Sequence, residues 1–501
     1  MSAHFAILPI LIPMLMAVVL MLPGLQSSLM LQRSGVGLAL ALTLAVATSL
    51  LGTVREVPLT YVLGDWQAPF GIVLSLDPLA IILVVLTAVL ALACWLYELM
   101  GVQSPGPYYH SVFLFQIMGI NGAFLTGDLF NLFVFFEILL IASYSLLTYG
   151  TANQKARANF HYVALNLLGS AFFLFALGIL YGATGTLNMA DMAVKLGQLS
   201  GDKLYLAKAG GLLLIVVFGL KAALVPLQFW LVSTYTTALA PVAALFAIMT
   251  KVGVYSFIRV HVQIFGGGAD GLQGLANDWL WPLSLVTLTV GSIGILASEQ
   301  LKHLIANLVI VSVGLLLMLV SLNTLEAIRA AVYYLIHSTL ITAALFMLAD
   351  LIARQRGPAG DRLVSARPLA QPLLLGGLLL LAAMVVIGLP PFSGFIGKLV
   401  ALKAFSGEPH QTLAWIAILL SSLVVLVMLA RAGTQLVWHT RAGKPGSDLA
   451  APSQILAVGF LLAMSGVMSV EAEWLLTLSS DAAEPIVGAT VNVPMMERSG
   501  L

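Results

Sequence analysis

"GLLLIVVFGLKAALVPLQFW", residues 211–230, reads as a membrane span until Pro226 interrupts it. "MVVIGLPPFSGFIGKLVAL", residues 384–402, behaves the same way at Pro390 and Pro391. A proline inside a helix removes one backbone hydrogen bond, and its ring clashes with the preceding turn. At membrane depth the freed backbone groups survive only where protein or water satisfies them. Two interrupted apolar segments in corresponding places mark a transport site built from repeats. Each stretch also carries a lysine, Lys221 before its break and Lys398 after it.

The surrounding composition agrees with a membrane reading. Of 501 residues, 60% are hydrophobic and only 9% charged, against about 25% charged in soluble domains. A net charge of +1 without blocks of like charge argues against a nucleic-acid partner. The single cysteine, Cys94, sits in an apolar run and reads as a packing residue. It has no partner for an internal disulfide, and no Cys/His cluster points to a metal or iron–sulfur centre. The N-terminal stretch "MSAHFAILPILIPMLMAVVLML" lacks a basic region and a small-residue cleavage site, so it reads as a retained first span.

A span needs about 20 apolar residues. That ruler predicts an all-α polytopic membrane protein with about fourteen transmembrane helices. They lie near 4–22, 34–54, 73–97, 111–126, 128–149, 159–184, 206–236, 240–262, 279–298, 303–321, 327–353, 372–402, 412–440 and 453–475. The broken spans are the seventh and the twelfth. They stand an odd number of spans apart, so a second copy of the unit enters the membrane upside down. Two inverted five-helix repeats are expected, spans 4–8 in residues 111–262 and spans 9–13 in residues 279–440. Spans 1–3 occupy 1–110; span 14 and an acidic tail (Glu471, Glu473, Asp481, Glu484) occupy 441–501. Lys and Arg concentrate in the loops after odd-numbered spans, among them Arg33, Lys155, Arg354, Arg362, Arg367 and Lys444. Arg259, Lys403 and Arg498 fall on the sparser side. This bias puts both termini outside.

The ionisable residues within the spans point to function, because a charge at the bilayer centre costs roughly 3 kcal/mol or more. Glu137 follows Asp128 by nine residues, a rise of about 13 Å, which places it near the midplane. Lys221 lies too deep in its span to snorkel, and Pro226 supplies polar backbone beside it. Burial favours a neutral amine and a nearby carboxylate favours a charged one, so a Glu137–Lys221 pair makes a proton switch. Lys251 lies about 15 Å into span eight, and His337 lies within span eleven. With Lys398 they complete a string of titratable groups, the signature of a proton relay. The structural alternatives are a neutral glutamic acid joining helices, a lysine holding a helix carbonyl and a merely hydrogen-bonded histidine. Lys403 reads as a snorkelling residue, and Asp350 as an interfacial ion pair with Arg354 or Arg356.

Five segments carry a resemblance: "DLFNLFVFFEILLIASYSLL", "GLKAALVPLQFWL", "APVAALFAIMTKVGVYSFIR", "STLITAALFMLADLIARQRG" and "GLPPFSGFIGKL". The chain resembles the antiporter-like subunits shared by respiratory complex I, membrane-bound hydrogenases and multisubunit Mrp-type (Pha-type) cation/proton antiporters. Within that superfamily it looks most like the D subunits of the Mrp type. The resemblance implies fourteen helices with two inverted repeats, and proton-carrying roles for Glu137, Lys221, Lys251 and Lys398. It further implies a hetero-oligomeric complex in the bacterial cytoplasmic membrane that exchanges Na⁺ or K⁺ for protons without a cofactor. Complex I relatives carry histidines around the span-seven break; here those positions are Gln228 and Tyr235, with Val232 replacing a proline. Ser312 stands where their span-ten histidine is expected.

The alternative is a proton-pumping subunit of complex I or a membrane-bound hydrogenase, driven by a redox arm on other chains. A membrane enzyme finds no support, since no Ser/His pair, HExxH or paired aspartates stand at suitable spacing. The "SGVG" and "GGAD" loops lack a phosphate-loop pattern. A scaffold has no need of five buried titratable groups. No acidic oxygen-rich cluster in the spans reads as a dedicated sodium site.

Overall fold

The computed structural model describes residues 3–66, 69–100, 106–149, 156–266, 272–441 and 444–487. Lys155, Arg498 and the "GGAD" loop lie outside the described residues. Among the described residues the regular structure is helical apart from one short hairpin. It runs α1 (Leu8–Leu20), α2 (Pro23–Gln26), α3 (Leu29–Glu56), β1 (Leu59–Val62), β2 (Val73–Leu76) and α4 (Pro78–Leu99). Next come α5 (Tyr109–Leu125), α6 (Leu129–Thr148), α7 (Ala156–Thr184), α8 (Met189–Leu196), α9 (Asp202–Ala222) and α10 (Phe229–Thr237). They are followed by α11 (Ala240–Phe246), α12 (Met249–Phe257), α13 (Asn277–Leu296), α14 (Leu301–Val320) and α15 (Leu325–Arg356). The last are α16 (Pro372–Ile387), α17 (Ser393–Ala404), α18 (Gln411–Gly433), α19 (Pro452–Val470) and α20 (Ala472–Val487). Among the described residues, eleven helical stretches are long and apolar enough to cross a membrane; His4–Leu20 and Pro372–Ile387 are shorter apolar helices.

Local chemistry sets where these helices start. Asp77, Asp128 and Thr324 accept hydrogen bonds from the main-chain N–H groups of Ala80, Asn131 and Ala327, satisfying donors that a helix start leaves orphaned. Proline follows the cap directly at Pro78, Pro372 and Pro452, where its missing N–H costs nothing. This chemistry corrects the third span, expected from residue 73. Val73–Leu76 pairs antiparallel with Leu59–Val62, and the helix begins only after the Asp77 cap. The acidic tail differs as well. Residues Ala472–Val487 form α20, which packs on α15 and α4 and is tied to α3 by an Arg55–Asp481 ion pair of 2.8 Å.

α15 lies at the centre, contacted by α11, α14, α16, α17, α19 and α20. Its side chains are buried on every side of the helix, from Ala327 to Ile352 with few exceptions. Both broken spans stop short of their prolines. α9 ends at Ala222, followed by left-handed Ala223 (φ 65°); α16 ends at Ile387, followed by left-handed Gly388 (φ 86°). The Val225–Pro226 and Pro390–Pro391 peptides are cis.

One main-chain clasp occurs twice. At the start of α6, Leu129 N–H donates to the Leu187 carbonyl and Met189 N–H to that of Gly127, both at 2.9 Å. At the start of α14, Leu301 N–H donates to the Asp361 carbonyl at 2.9 Å and Leu363 N–H to that of Glu299 at 2.8 Å.

Candidate functional site

Glu137 lies half-buried in the middle of α6, where its Oε1 accepts a hydrogen bond from Ser170 Oγ of α7. Ser170 Oγ is also 3.0 Å from the carbonyl of Asn166, one turn earlier on α7. Lys221, in the last turn of α9, is 4% exposed. Its Nζ donates to Asn166 Oδ1 at 3.3 Å and lies 3.5 Å from the Asn166 carbonyl. The same ammonium group stands 5.8 Å from the Phe136 ring centre, beside Glu137. The expected pair is thus brought together through α7, not by direct contact. Ser170 and Asn166 form the connection Glu137–Ser170–Asn166–Lys221, and Lys221 does not snorkel.

Sequence reasoning passed over Asn166 and Ser170. The available signal was polar residues four apart in "YVALNLLGS", which places Tyr162, Asn166 and Ser170 on one helical face. Tyr162 extends the polar face, its hydroxyl 2.8 Å from Ser143 Oγ.

A second cluster gathers the other three residues. Lys251 of α12 is fully buried, and its Nζ donates to Ser312 Oγ of α14 at 3.0 Å. His337 of α15 is 1% exposed, with Nδ1 2.9 Å from Ser393 Oγ at the start of α17. Lys398, half-buried on α17, reaches back across the break and donates to the Ile387 carbonyl at 2.8 Å and to that of Val386 at 3.3 Å. A cavity of about 20 Å³ lined by Ser312, Tyr334, His337, Ser338, Thr342 and Lys398 joins His337 to Lys398, and Lys251 meets its wall through Ser312. That is room for about one water molecule. Ser312, where complex I relatives are expected to carry histidine, here holds the lysine.

Among the described residues no hydrogen bond links Lys221 to Lys251. The helices cross at Gly253 of α12, where a Cβ would stand 2.5 Å from the Ala222 backbone nitrogen. The five residues therefore form two groups on either side of a tight backbone contact. At the first break the Leu220 carbonyl accepts from Trp230 Nε1 at 3.0 Å, and Val225 N–H donates to Thr287 Oγ1 at 3.0 Å. Gln228 is buried and its Oε1 has no hydrogen-bond partner among the described residues, while the Tyr235 hydroxyl donates to the Phe246 carbonyl at 2.6 Å.

Several charges away from these clusters have structural partners. Asp350 pairs with Arg354, with Lys302 at 3.6 Å and with the Tyr97 hydroxyl at 2.9 Å. Arg356 instead holds the carbonyls of Gly360 and Arg362, each at 2.7 Å. Arg259, taken as an outer loop charge, is buried in an ion pair with Asp77, the cap of α4. Lys403 is exposed and Cys94 is buried. Among the described residues no three His, Cys, Asp or Glu side chains converge as a metal site.

Among known proteins, the family model described as "NADH:quinone oxidoreductase/Mrp antiporter, TM" matches residues 126–426. The chain is 38% identical over 475 residues to a probable K⁺/H⁺ antiporter D subunit of Rhizobium meliloti (strain 1021), covering 88% of both chains. It is 38% identical over 490 residues to a Na⁺/H⁺ antiporter D subunit of Bacillus subtilis (strain 168), covering 97% of both. Its fold matches a chain of the Mrp complex from Dietzia sp. DQ12-45-1b with a TM-score of 0.88 at 24% identity, over 98% of this chain and 100% of that one.

Proposed function

This chain belongs to the NADH:quinone oxidoreductase/Mrp antiporter family, and from that premise we propose that it is the proton-translocating subunit of a multisubunit Na⁺(K⁺)/H⁺ antiporter. It crosses the bacterial cytoplasmic membrane fourteen times, both termini outside, within a complex of other subunits. Residues 111–262 and 279–440 act as inverted repeats. The repeated main-chain clasp and the two breaks at left-handed residues support that symmetry.

The observation that carries the reading is the arrangement on α7, where Ser170 donates to Glu137 one turn from Asn166, which accepts from Lys221. A lysine so enclosed keeps its proton only while a negative charge supports it. When the influence of Glu137 weakens, the amine releases the proton towards Lys251; when it returns, the amine is recharged. Lys251, Ser312 and the cavity pass the proton to His337 and Lys398. An electrogenic exchange draws about 2.3 kcal/mol per charge per 100 mV from the membrane potential.

The test is cation-dependent proton flux in everted vesicles carrying the whole complex, with assembly checked by native gel. Glu137→Ala and Lys221→Ala variants that assemble are expected to lose proton movement on adding Na⁺ or K⁺. Exchange that survives both changes makes the pair structural. The family description also covers quinone oxidoreductases; vesicles that show no exchange but acidify on adding a reductant establish the redox-pump alternative.

A further inference from the structure

His337 has a partner that its own span and the neighbouring broken helix do not explain. Ser393 Oγ, 2.9 Å from His337 Nδ1, lies 2.6 Å from Ser465 Oγ on α19. All three are enclosed, at 1%, 0% and 1% exposure. α19 lies beyond residue 426, where the family match ends. The opposite edge of the ring packs on Gly394, where a Cβ would stand 3.0 Å from Cε1 and 3.1 Å from Nε2. The ring is therefore held between a glycine and a two-hydroxyl chain, and it borders the cavity shared with Lys398 and Ser312.

We propose that Ser465 is a positioning residue of the relay, holding the ring of His337 in place through Ser393 in either tautomer. This rests on the reading that His337 carries protons. A neutral imidazole that gains a proton at one nitrogen and loses one from the other ends in the opposite tautomer, so its partner must both donate to a bare Nδ1 and accept from Nδ1–H. A serine hydroxyl has one hydrogen and two lone pairs, so the chain can run either way. In one direction Ser465 donates to Ser393, Ser393 donates to Nδ1, and the ring proton sits on Nε2. In the other, Nδ1–H donates to Ser393 and Ser393 donates to Ser465. Both directions keep the Ser393 hydroxyl hydrogen-bonded, whereas an apolar residue at 465 leaves only the direction in which Ser393 donates to Nδ1.

The experiment compares Ser465→Thr with Ser465→Val in the assembled complex, since the two side chains have one shape and differ by the hydroxyl. The valine variant is expected to turn over about tenfold slower, with the KM for cation unchanged, and the threonine variant to stay within about twofold of the parent. Equal rates for the two variants make Ser465 a packing residue and overturn the proposal. Should valine prevent assembly, Ser465→Cys, nearly the size of serine but a weak donor, is read in its place, and an unchanged rate overturns the proposal. His337→Ala separates the two levels. If it leaves flux intact, the relay role of His337 falls and the proposal with it. If it abolishes flux while valine equals threonine, only the proposal for Ser465 falls.

Discussion

The two broken helices solve one backbone problem and use their lysines differently. Each ends at a left-handed residue, Ala223 or Gly388, a few positions before its proline. At the first break an indole supports the loose end, Trp230 Nε1 holding the Leu220 carbonyl. Lys221 is thereby left to face side chains that can change charge, reached through Asn166 and Ser170. At the second break the lysine supports the end itself, Lys398 holding the Val386 and Ile387 carbonyls. A helix C-terminus carries partial negative charge and attracts a cation. Its field is fixed, whereas a carboxylate can be neutralised. On the function proposed above, the first lysine is the one to be switched, and the second would receive from His337 against a constant bias.

The largest effect that tests this contrast is expected from arginine, which keeps the charge and the donors but cannot release a proton. Lys221→Arg should abolish cation-coupled flux in assembled complexes. Lys398→Arg should preserve assembly, because the carbonyls keep a donor, and still lower flux more than about tenfold; full flux would reduce Lys398 to a helix cap. Next is Trp230→Phe, which removes one of two donors to the Leu220 carbonyl and leaves the Ala223 N–H at 3.2 Å. Loss of one buried hydrogen bond costs about 0.5–1.5 kcal/mol, so the thermal midpoint of the purified complex should fall, with no matching change expected at the second break. A smaller loss is expected from Asn166→Ala, about tenfold in flux, and less from Ser170→Ala. Because the two act in one connection, the double variant should resemble the worse single one and not their product; multiplied losses would separate Glu137 from Lys221. The smallest effect belongs to Lys403→Ala, which should stay within about 0.5 kcal/mol in stability and leave flux unchanged.

Much of this protein is legible one residue at a time. Apolar run length marks where the chain enters the bilayer, and proline marks both breaks, because each property belongs to a segment alone. Glu137, Lys221, Lys251, His337 and Lys398 stand out for the same reason: charge in an apolar run is costly wherever the helix packs. Lone sequence features mislead where a neighbour decides. Val73–Leu76 is apolar enough to begin a span, yet it pairs as a strand with Leu59–Val62. Arg259 looks like an end-of-span charge, yet Asp77 draws it inside.

Sequence by itself determined the membrane class, the broken spans and the titratable residues, since hydrophobicity and backbone chemistry are local. Tertiary structure alone decided which of them meet. It interposed Asn166 and Ser170 between Glu137 and Lys221, gave Lys251 to Ser312, and turned Lys398 onto the carbonyls of α16. Such pairings depend on how helices far apart in the chain cross and rotate, and small polar residues such as Ser393 and Ser465 leave no mark in an apolar sequence until a partner is opposite them.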